Sequence, residues 1–460
     1  MHIRTKLFAI VLIAGIGSFT ACKKTSDPVE TTPPPVDSIP VVSASDKVKD
    51  TVVLYSQEAY LWYTQIPSTF NGRIYADPNA IMEAIRQYSQ EPGFTAPVDR
   101  FSFAATKADW DNVSSGIGGD FGLGVFYLNT SDLRVKFVEP ASPAGQAGVK
   151  RGWKVTKLNG STNVAYANVD FVIDKIFNST STTFTFQKPD GSSVDVPLNA
   201  ASYNSKPVHL DSVYTMGSKK VGYLVFNSFI GDTNQINTDL AASFAKFNSA
   251  NINEIVVDLR YNGGGYVSIQ ERMANYLAPI AANGDIMMKQ VFNANLARYN
   301  ETTKFSKIGS LNLPRIIFIV SHATASASEL LINNLRPYMD VKIIGPSATY
   351  GKPVGFFPIP VGDWYIFPVS FRTTNKNNEG GYFDGLKLDK AVADGLDKNW
   401  GDLSEDALAS AMKYITTGTF TVVRNTNTPV INLNQPEVIR SNDKLNEKTF
   451  KGTVDTRFLR

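Results

Sequence analysis

A segment of small residues between a predicted buried strand and a predicted helix has the residue types for nucleophilic chemistry. It reads SHATASAS from residue 321 to residue 328, and a helix is predicted over Ala327–Leu335, before Pro337 ends it. A serine at a helix N-terminus lies where the helix dipole and free N–H groups stabilise a developing oxyanion. The same position suits an ordinary helix cap, so this segment by itself leaves both roles open for Ser326 and Ser328.

Two further segments offer a base and an anion-binding loop. Lys352 lies between Gly351 and Pro353, soon after a strand predicted at residues 341–344. Such a lysine is either held close to the sheet or is a solvated loop residue. The glycines at residues 263–265 follow another strand and can present backbone N–H groups to an anionic oxygen, although glycine runs are also common turns.

The elements that must position these residues alternate between short β-branched runs, predicted as strands, and amphipathic stretches, predicted as helices. In chain order they are Val221–Phe226, Thr238–Phe247, Glu254–Leu259, Ser268–Tyr276, Arg315–Val320 and Val341–Ile344. Continuous apolar strands that alternate with helices favour an α/β fold whose sheet is covered on both faces. We expect this core to occupy residues 204–420.

Three other regions have different patterns. Residues 46–112 are mainly helical, with helices predicted at Lys47–Tyr60 and Asn79–Tyr88. Residues 113–203 consist of short strands and glycine turns, which predicts a separate β-domain. Residues 421–460 are polar, and we expect an irregular tail that contributes no core.

The first residues have the pattern of a bacterial secretory signal. Basic residues precede an apolar run at 7–16 that is about half as long as a membrane-spanning helix. Residues 1–21 are therefore predicted to be a signal peptide, and Cys22 occupies the position of a lipidated cysteine; ordinary cleavage is the alternative. The proline-rich residues 22–45 form a flexible linker in this prediction. A lipid anchor would place the protein in the cell envelope, on the periplasmic side or the outer-membrane surface.

Charge and composition exclude several classes of function. The chain has 45 Lys and Arg against 42 Asp and Glu, a net charge of +3, so no concentrated basic surface is expected for nucleic acid. One cysteine excludes intrachain disulfides and thiolate metal sites. Three histidines are too few for a metallohydrolase with several histidine ligands. We therefore predict no metal site and no cofactor.

Residues 142–160 closely resemble the PDZ domains of bacterial proteases, because they read SPAGQAGVKRGWKV and then LNG at 158–160. This resemblance implies that a peptide C-terminus binds in a groove between a strand and a helix at Val169–Ile176. A β-domain without a ligand is the alternative. Gly152-Trp153 replaces the usual Gly-Asp in a turn. The groove strand would extend to Phe126 and would bind peptide through Gly122, Leu123, Gly124 and Val125.

The motifs DLRYNGGG, TASASE and GK together resemble the carboxyl-terminal processing, or tail-specific, serine proteases. Stretches such as ASELLINNLRPY and TYGKPVG are similar to a Bacteroidetes lipoprotein branch of that family. The resemblance covers about residues 46–415 and implies a multidomain α/β protein, with a crotonase-like core and an inserted or preceding PDZ domain. It implies that Ser326 is the nucleophile, Lys352 its general base, and the N–H groups of Gly265 and Ala327 the oxyanion hole.

Two departures from the family leave open which residue orients Lys352. Some relatives have Asp eleven residues after the nucleophile, where this chain has Pro337, and others have Gln four residues after the lysine, where it has Phe356. Glu329, one helical turn beyond Ser326, is a candidate helper.

The small number of histidines favours a Ser-Lys pair over a Ser-His-Asp arrangement, because only His209 and His322 lie outside the predicted signal. The lysine can act as a base if burial lowers its pKa from about 10.4 to about 7–8, which requires about 3–5 kcal/mol. The expected function is a serine endopeptidase that recognises polypeptides with exposed C-termini. A catalytically silent peptide-binding lipoprotein is the alternative, and a crotonase-type enzyme acting on thioesters is a third.

Overall fold

The computed structural model describes residues 42–420, 436–447 and 450–457. The signal predicted at residues 1–21 and the lipidated Cys22 lie outside these ranges, as does nearly all of the linker predicted at residues 22–45. From Ala44 onward the described residues belong to one compact unit. Within the same ranges, no helix combines the length and the apolar character needed to cross a bilayer.

An N-terminal region of helices is joined to the core through one β-strand. Its elements are α1 (Ala44–Ala59), α2 (Pro78–Ile85), β1 (Phe103–Thr106) and α3 (Lys107–Ser115). Helix α2 begins at an Asp-Pro pair, where the Asp77 carboxylate accepts a hydrogen bond from the Ala80 N–H at 2.9 Å. The helical sequence pattern does not predict β1, which pairs antiparallel with residues 364–367 of the core.

Residues 117–204, which we call the small β-subdomain, form a sheet with its own hydrophobic core. The elements are β2 (Ile117–Gly118), β3 (Leu123–Asn129), β4 (Asp132–Val138), α4 (Pro143–Gln146), β5 (Lys154–Leu158), α5 (Val169–Ile173), β6 (Ser181–Gln187), β7 (Ser193–Asn199) and β8 (Tyr203–Asn204). The main sheet has the order β3-β4-β5-β6-β7 with antiparallel neighbours, so β3 is an edge strand. Tyr127, Phe184 and Phe186 are among its fully buried core residues.

The core follows, with strands and helices in alternation. Its elements are β9 (Val208–Met216), β10 (Lys219–Phe226), α6 (Thr233–Ala250), β11 (Glu254–Asp258), β12 (Gly264–Tyr266), α7 (Val267–Leu277), β13 (Ile286–Phe292), β14 (Glu301–Lys304), β15 (Arg315–Ile319), α8 (Ala327–Leu335), β16 (Asp340–Gly345), β17 (Val354–Gly355), β18 (Ile359–Val361), β19 (Trp364–Phe367), β20 (Phe371–Thr374), β21 (Lys390–Ala391) and α9 (Asp406–Thr417).

The main sheet of the core has the order β21-β16-β15-β11-β10-β9, in which only β9 is antiparallel to its neighbour. Alternate side chains of its strands point to opposite faces. Leu224, Val257 and Phe318 pack in the cluster that includes α6 and α7, whereas Val225 and Val256 pack against α9. The prediction of a mixed α/β fold with a sheet covered on both faces is confirmed.

The C-terminal residues contradict the prediction of an irregular tail without a core. Residues 436–447 form helix α10 (Pro436–Glu447), and Gly452–Val454 form strand β22. Val438 and Leu445 are buried in the core of the small β-subdomain. The polar composition concealed this packing because Val438 and Leu445, seven positions apart and so on one side of α10, are enough to bury it, which a low overall hydropathy does not reveal.

Arg260, at the end of β11, is the centre of a buried charge network. Its guanidinium contacts the carboxylates of Asp258 at 2.7 Å, Asp394 at 2.8 Å and Glu405 at 2.8 Å. Arg151 of the small β-subdomain joins the same network at Asp394, at 2.6 Å. Burial acts to raise the pKa of Asp394, but the two arginines outweigh it and hold that pKa at about 2. The network therefore ties the small β-subdomain to the core.

Replacing Arg260 by Met is expected to destabilise the fold strongly, because it leaves buried carboxylates without their partner. Breaking a buried ion pair from one side costs about 3–5 kcal/mol. The measurement is the urea midpoint of unfolding. Arg73→Met is the control, since the Arg73–Asp50 pair is exposed and its loss should not move the midpoint measurably. Equal midpoints for both variants would contradict the role given to Arg260.

Candidate active site

Three adjacent strands of the core sheet deliver the segments that the sequence singled out. The glycines at 263–265 follow β11, Ser326 follows β15, and Lys352 follows β16. Since the carboxyl ends of neighbouring parallel strands lie at one edge of a sheet, the three segments converge there.

Ser326 occupies the N-cap of α8 in a strained backbone conformation. Its φ is 60° and its ψ is −113°, and its side chain is fully buried. Non-glycine residues rarely adopt such a conformation unless their surroundings enforce it, and strain of this kind is typical of functional positions. Ser328 has a structural contact instead, because its hydroxyl donates to the Asn262 carbonyl oxygen at 3.0 Å. The two serines therefore differ in backbone conformation and in the partner of the hydroxyl group.

The carboxylate of Glu329 joins the serine segment to the lysine loop. Its Oε2 accepts hydrogen bonds from the backbone N–H groups of Ser326 (2.7 Å) and Lys352 (2.9 Å). Its Oε1 accepts from the Gly351 N–H (2.7 Å) and the Thr349 hydroxyl (2.5 Å). Complete burial raises the pKa of Glu329, and the four hydrogen bonds oppose that rise. Glu329 therefore positions the backbones of both predicted catalytic residues and makes no contact with the lysine amine.

Lys352 is a buried lysine whose amine lies among aromatic rings. Its Nζ lies 3.9 Å from the ring centroid of Phe356 and 4.9 Å from that of Phe101. It donates a hydrogen bond to the Lys451 carbonyl oxygen at 3.1 Å. Burial lowers the pKa of Lys352 well below its ordinary value. Phe356, at the position where some relatives have Gln, thus contributes to the dry surroundings of the amine.

The glycine run lies against the first turn of α8. Gly264 has φ 106°, and a Cβ on it would lie 3.0 Å from both Ser326 Cβ and the Ala327 nitrogen. Gly265 has φ 143°, and a Cβ there would lie 2.1 Å from the Phe229 backbone. Glycine is thus required at both positions. Asn262 shapes the run, since its Oδ1 accepts from the Gly264 N–H at 2.9 Å.

Neither histidine is among the described contacts of Ser326. His322 is about half exposed and faces Asp443, with Nε2 3.7 Å from the carboxylate oxygen. His209 is buried and lies 3.5 Å from the Glu139 carboxylate. In the described part of the chain, His, Cys, Asp and Glu form no group of three that could hold a metal ion.

The predicted peptide groove of the small β-subdomain is covered by α10. Gly122 has φ 74° and precedes β3, which contains Leu123, Gly124 and Val125. The edge of β3 that does not pair with β4 is covered by Asn442 of α10. The Asn442 side chain accepts a hydrogen bond from the Tyr127 N–H at 2.7 Å and donates one to the Tyr127 carbonyl oxygen at 2.9 Å. The wall predicted as a helix at 169–176 is α5 followed by a π-turn.

Sequence reasoning did not identify three residues of this site. Asn262 lies in the DLRYNGGG motif and Thr349 in the TYGKPVG stretch. Their closeness in sequence to the glycines and to Lys352 could have indicated that they belong to the site. Thr453 lies far from any motif, and its hydroxyl oxygen is 2.6 Å from Ser326 Oγ. No local sequence pattern indicates that contact, which joins residues 127 positions apart.

Comparisons with known proteins show which families and structures this chain is similar to. Residues 220–389 match the model of peptidase family S41. A CtpA-like serine protease of Staphylococcus aureus is 28% identical over 259 residues, which is 56% of this chain and 49% of that protein. Its Staphylococcus saprophyticus counterpart is 25% identical over 259 residues, with 55% and 49% covered. The chain thus spans about half the length of the curated relatives it matches.

A solved structure shares the fold over most of the chain. It is an S41 protease-family protein from Bacteroides fragilis, with a TM-score of 0.63 and 24% identity. The match covers 80% of this chain and 97% of the other.

Replacing Glu329 by Gln should destabilise the protein, because the NH₂ group of glutamine is itself a donor. It would face N–H or O–H groups that now donate to a carboxylate oxygen. Each buried donor left unpaired costs about 1–3 kcal/mol. The control is Glu83→Gln on α2, where the carboxylate is exposed and accepts from Asn79 at 2.9 Å. Thermal unfolding of both variants is the measurement. A Glu329→Gln protein as stable as its control would show that the four hydrogen bonds do not hold the two loops.

Proposed function

We propose that this chain, whose core matches the S41 serine peptidases, is a serine endopeptidase that uses Ser326 as nucleophile and Lys352 as general base. One observation carries the proposal. The backbone N–H groups of the strained Ser326 and of Lys352, whose buried amine has a lowered pKa, both donate to the carboxylate of Glu329. All three residues lie within the matched range of 220–389.

The proposed reaction begins with proton transfer from Ser326 Oγ to the neutral amine of Lys352 as the oxygen attacks a peptide carbonyl. The tetrahedral oxyanion is stabilised by the N–H groups of Gly265 and Ala327 at the start of α8. The lysine ammonium then protonates the leaving amine, and the C–N bond breaks to give an acyl-enzyme. Water, deprotonated by Lys352, attacks the ester and releases the acid, and the proton returns to Ser326.

The small β-subdomain is proposed to act as a PDZ-type module that binds the C-terminus of a polypeptide substrate. In this proposal the peptide adds to the edge of β3, and backbone N–H groups beside Gly122 receive the terminal carboxylate. Support comes from the edge position of β3. Helix α10 contacts β3 through Asn442 and α5 through Lys444, so the peptide must displace it to bind there. Lipidation at Cys22 and a location in the cell envelope belong to the same proposal and rest on the sequence alone.

A catalytically silent peptide-binding protein is the second candidate. The observation that favours it is the engagement of both predicted catalytic side chains by the C-terminal segment, through Thr453 and Lys451. Acylation of Ser326 by a serine-reactive probe separates the candidates, because a silent protein would not be labelled.

Ser326→Ala and Lys352→Arg are each expected to reduce cleavage of an unfolded protein by more than about 10³-fold. Arginine has a similar length but stays protonated, so it cannot act as a base at accessible pH. The matched controls are Ser179→Ala and Lys188→Arg in the small β-subdomain. Both variants should cleave the unfolded protein at the rate of the unmodified chain. Gel-based proteolysis is the measurement. Retained cleavage by Ser326→Ala or by Lys352→Arg would contradict the role proposed for that residue.

The rate of cleavage should depend on pH through Lys352. Because burial lowers the pKa of this amine, its neutral and reactive form is present above a pKa well below 10.5. We therefore expect kcat/KM to fall as the pH drops through that lowered pKa and to level off at higher pH. A pH–rate profile measures this, and a rate that begins to rise only near pH 10.5 would mean that the amine is not desolvated.

A further inference from the structure

The last described residues of the chain run through the catalytic cleft as an extended strand. β22 pairs in parallel with β12, with Gly452 opposite Gly264 and Thr453 opposite Gly265, the residue proposed for the oxyanion hole. On its other side the Phe356 N–H donates to the Thr453 carbonyl oxygen at 3.0 Å, and the Asp455 N–H donates to the Phe356 carbonyl oxygen at 3.0 Å. Backbone pairing of this kind is how extended peptides bind to sheets.

This strand also engages both predicted catalytic side chains. Ser326 Oγ shares a hydrogen bond with the Thr453 hydroxyl at 2.6 Å, and Lys352 Nζ donates to the Lys451 carbonyl oxygen at 3.1 Å. The backbone of residues 451–453 therefore lies along the path that a peptide must follow to reach Ser326. A substrate must displace this strand before it can react.

The aromatic side chain of Phe450 enters a pocket made by the N-terminal region and the core. Its ring centroid lies 5.8 Å from that of Trp110, 6.3 Å from Phe103 and 6.4 Å from Phe356. Behind them Phe103 stacks on Phe367 at 4.4 Å. Such clusters favour another aromatic ring over an aliphatic side chain, because ring edges and faces attract each other. We call the three rings beside Phe450, those of Phe103, Trp110 and Phe356, the aromatic pocket.

Both ends of the segment are held elsewhere on the molecule. Asp455 is buried and accepts from Gln290 at 3.1 Å, and Arg457 contacts Glu301 at 3.1 Å. Upstream, the Lys136 amine of the small β-subdomain donates to Asn446 of α10 at 2.5 Å. Contacts on both sides of β22 therefore hold the strand in the cleft.

We propose that the aromatic pocket is a substrate subsite that takes an aromatic side chain, and that residues 450–454 are its resident competitor. The preferred substrate is an extended polypeptide with an aromatic residue two positions before a small residue, as Phe450 precedes Gly452. This inference rests on the proposed peptidase function, since it names the specificity of the same cleft.

The test measures binding by fluorescence anisotropy, with the full chain and two labelled heptapeptides. One probe is FKGTVDT, the sequence of residues 450–456, and the other is AKGTVDT. Phe450→Ala should empty the pocket, so this variant is expected to bind the first probe at least about tenfold more tightly than the unmodified chain does. It should bind the alanine probe about tenfold more weakly than the phenylalanine probe. The control is Phe420→Ala, which removes a ring stacked on Tyr414 and should bind like the unmodified chain.

A second variant and a cleavage assay separate this proposal from the proposed function. Adding Trp110→Ala to Phe450→Ala should abolish the preference between the probes. Equal binding of both probes by Phe450→Ala, or binding by neither, overturns the subsite. A phenylalanine preference without cleavage of an unfolded protein by any variant would uphold the subsite and contradict the peptidase function. Cleavage of an unfolded protein without a preference between the probes would uphold the peptidase function and contradict the subsite.

Discussion

The geometry of the site depends on the carboxylate of Glu329. Burial of a carboxylate is unfavourable by several kcal/mol unless hydrogen bonds offset it, and here two oxygens accept four donors from two segments. Hydrogen bonds to an ionised acceptor are among the stronger ones in proteins. Since the donors belong to the start of α8 and to the loop after β16, the two loops must keep one relative arrangement to satisfy the carboxylate. The relative position of Ser326 and Lys352 is thus specified by three backbone N–H groups and the Thr349 hydroxyl, which share one carboxylate.

Besides the arrangement held by Glu329, the site requires that water be kept away from the Lys352 amine. Lys352 can be neutral only if water is kept from its amine, and Phe101 and Phe356 cover it. Phe101 comes from the N-terminal region, which is attached to the core by the pairing of β1 with β19. The N-terminal region, for which the sequence predicted only helices, therefore supplies part of the wall around the Lys352 amine and, through Phe103 and Trp110, most of the aromatic pocket.

The sequence predicted the mixed α/β core and the three segments of the site, because strands with β-branched runs and glycine turns leave local patterns. Residues 263–265, Ser326 and Lys352 needed only the rule that adjacent parallel strands end at one edge. The role of Glu329 was suggested by its place one turn after Ser326, but its partners in the lysine loop follow from tertiary packing. The contacts of Thr453 and Asn442 were not predictable, since they join distant segments through polar residues that have no periodic signal.

The C-terminal segment covers two surfaces of the molecule, which weakens the binding of any free peptide to the cleft. α10 rests on the small β-subdomain, and β22 lies in the cleft only a few residues later along the same chain. Docking of the helix therefore holds the strand near its site at an effective concentration in the millimolar range typical of short connections. A free peptide present at micromolar concentration would have to bind the cleft about a thousandfold more tightly than the strand does in order to replace it. A ligand that removes α10 from β3 lowers that requirement for every substrate at once, so the two surfaces are coupled by the simple fact that one polypeptide covers both.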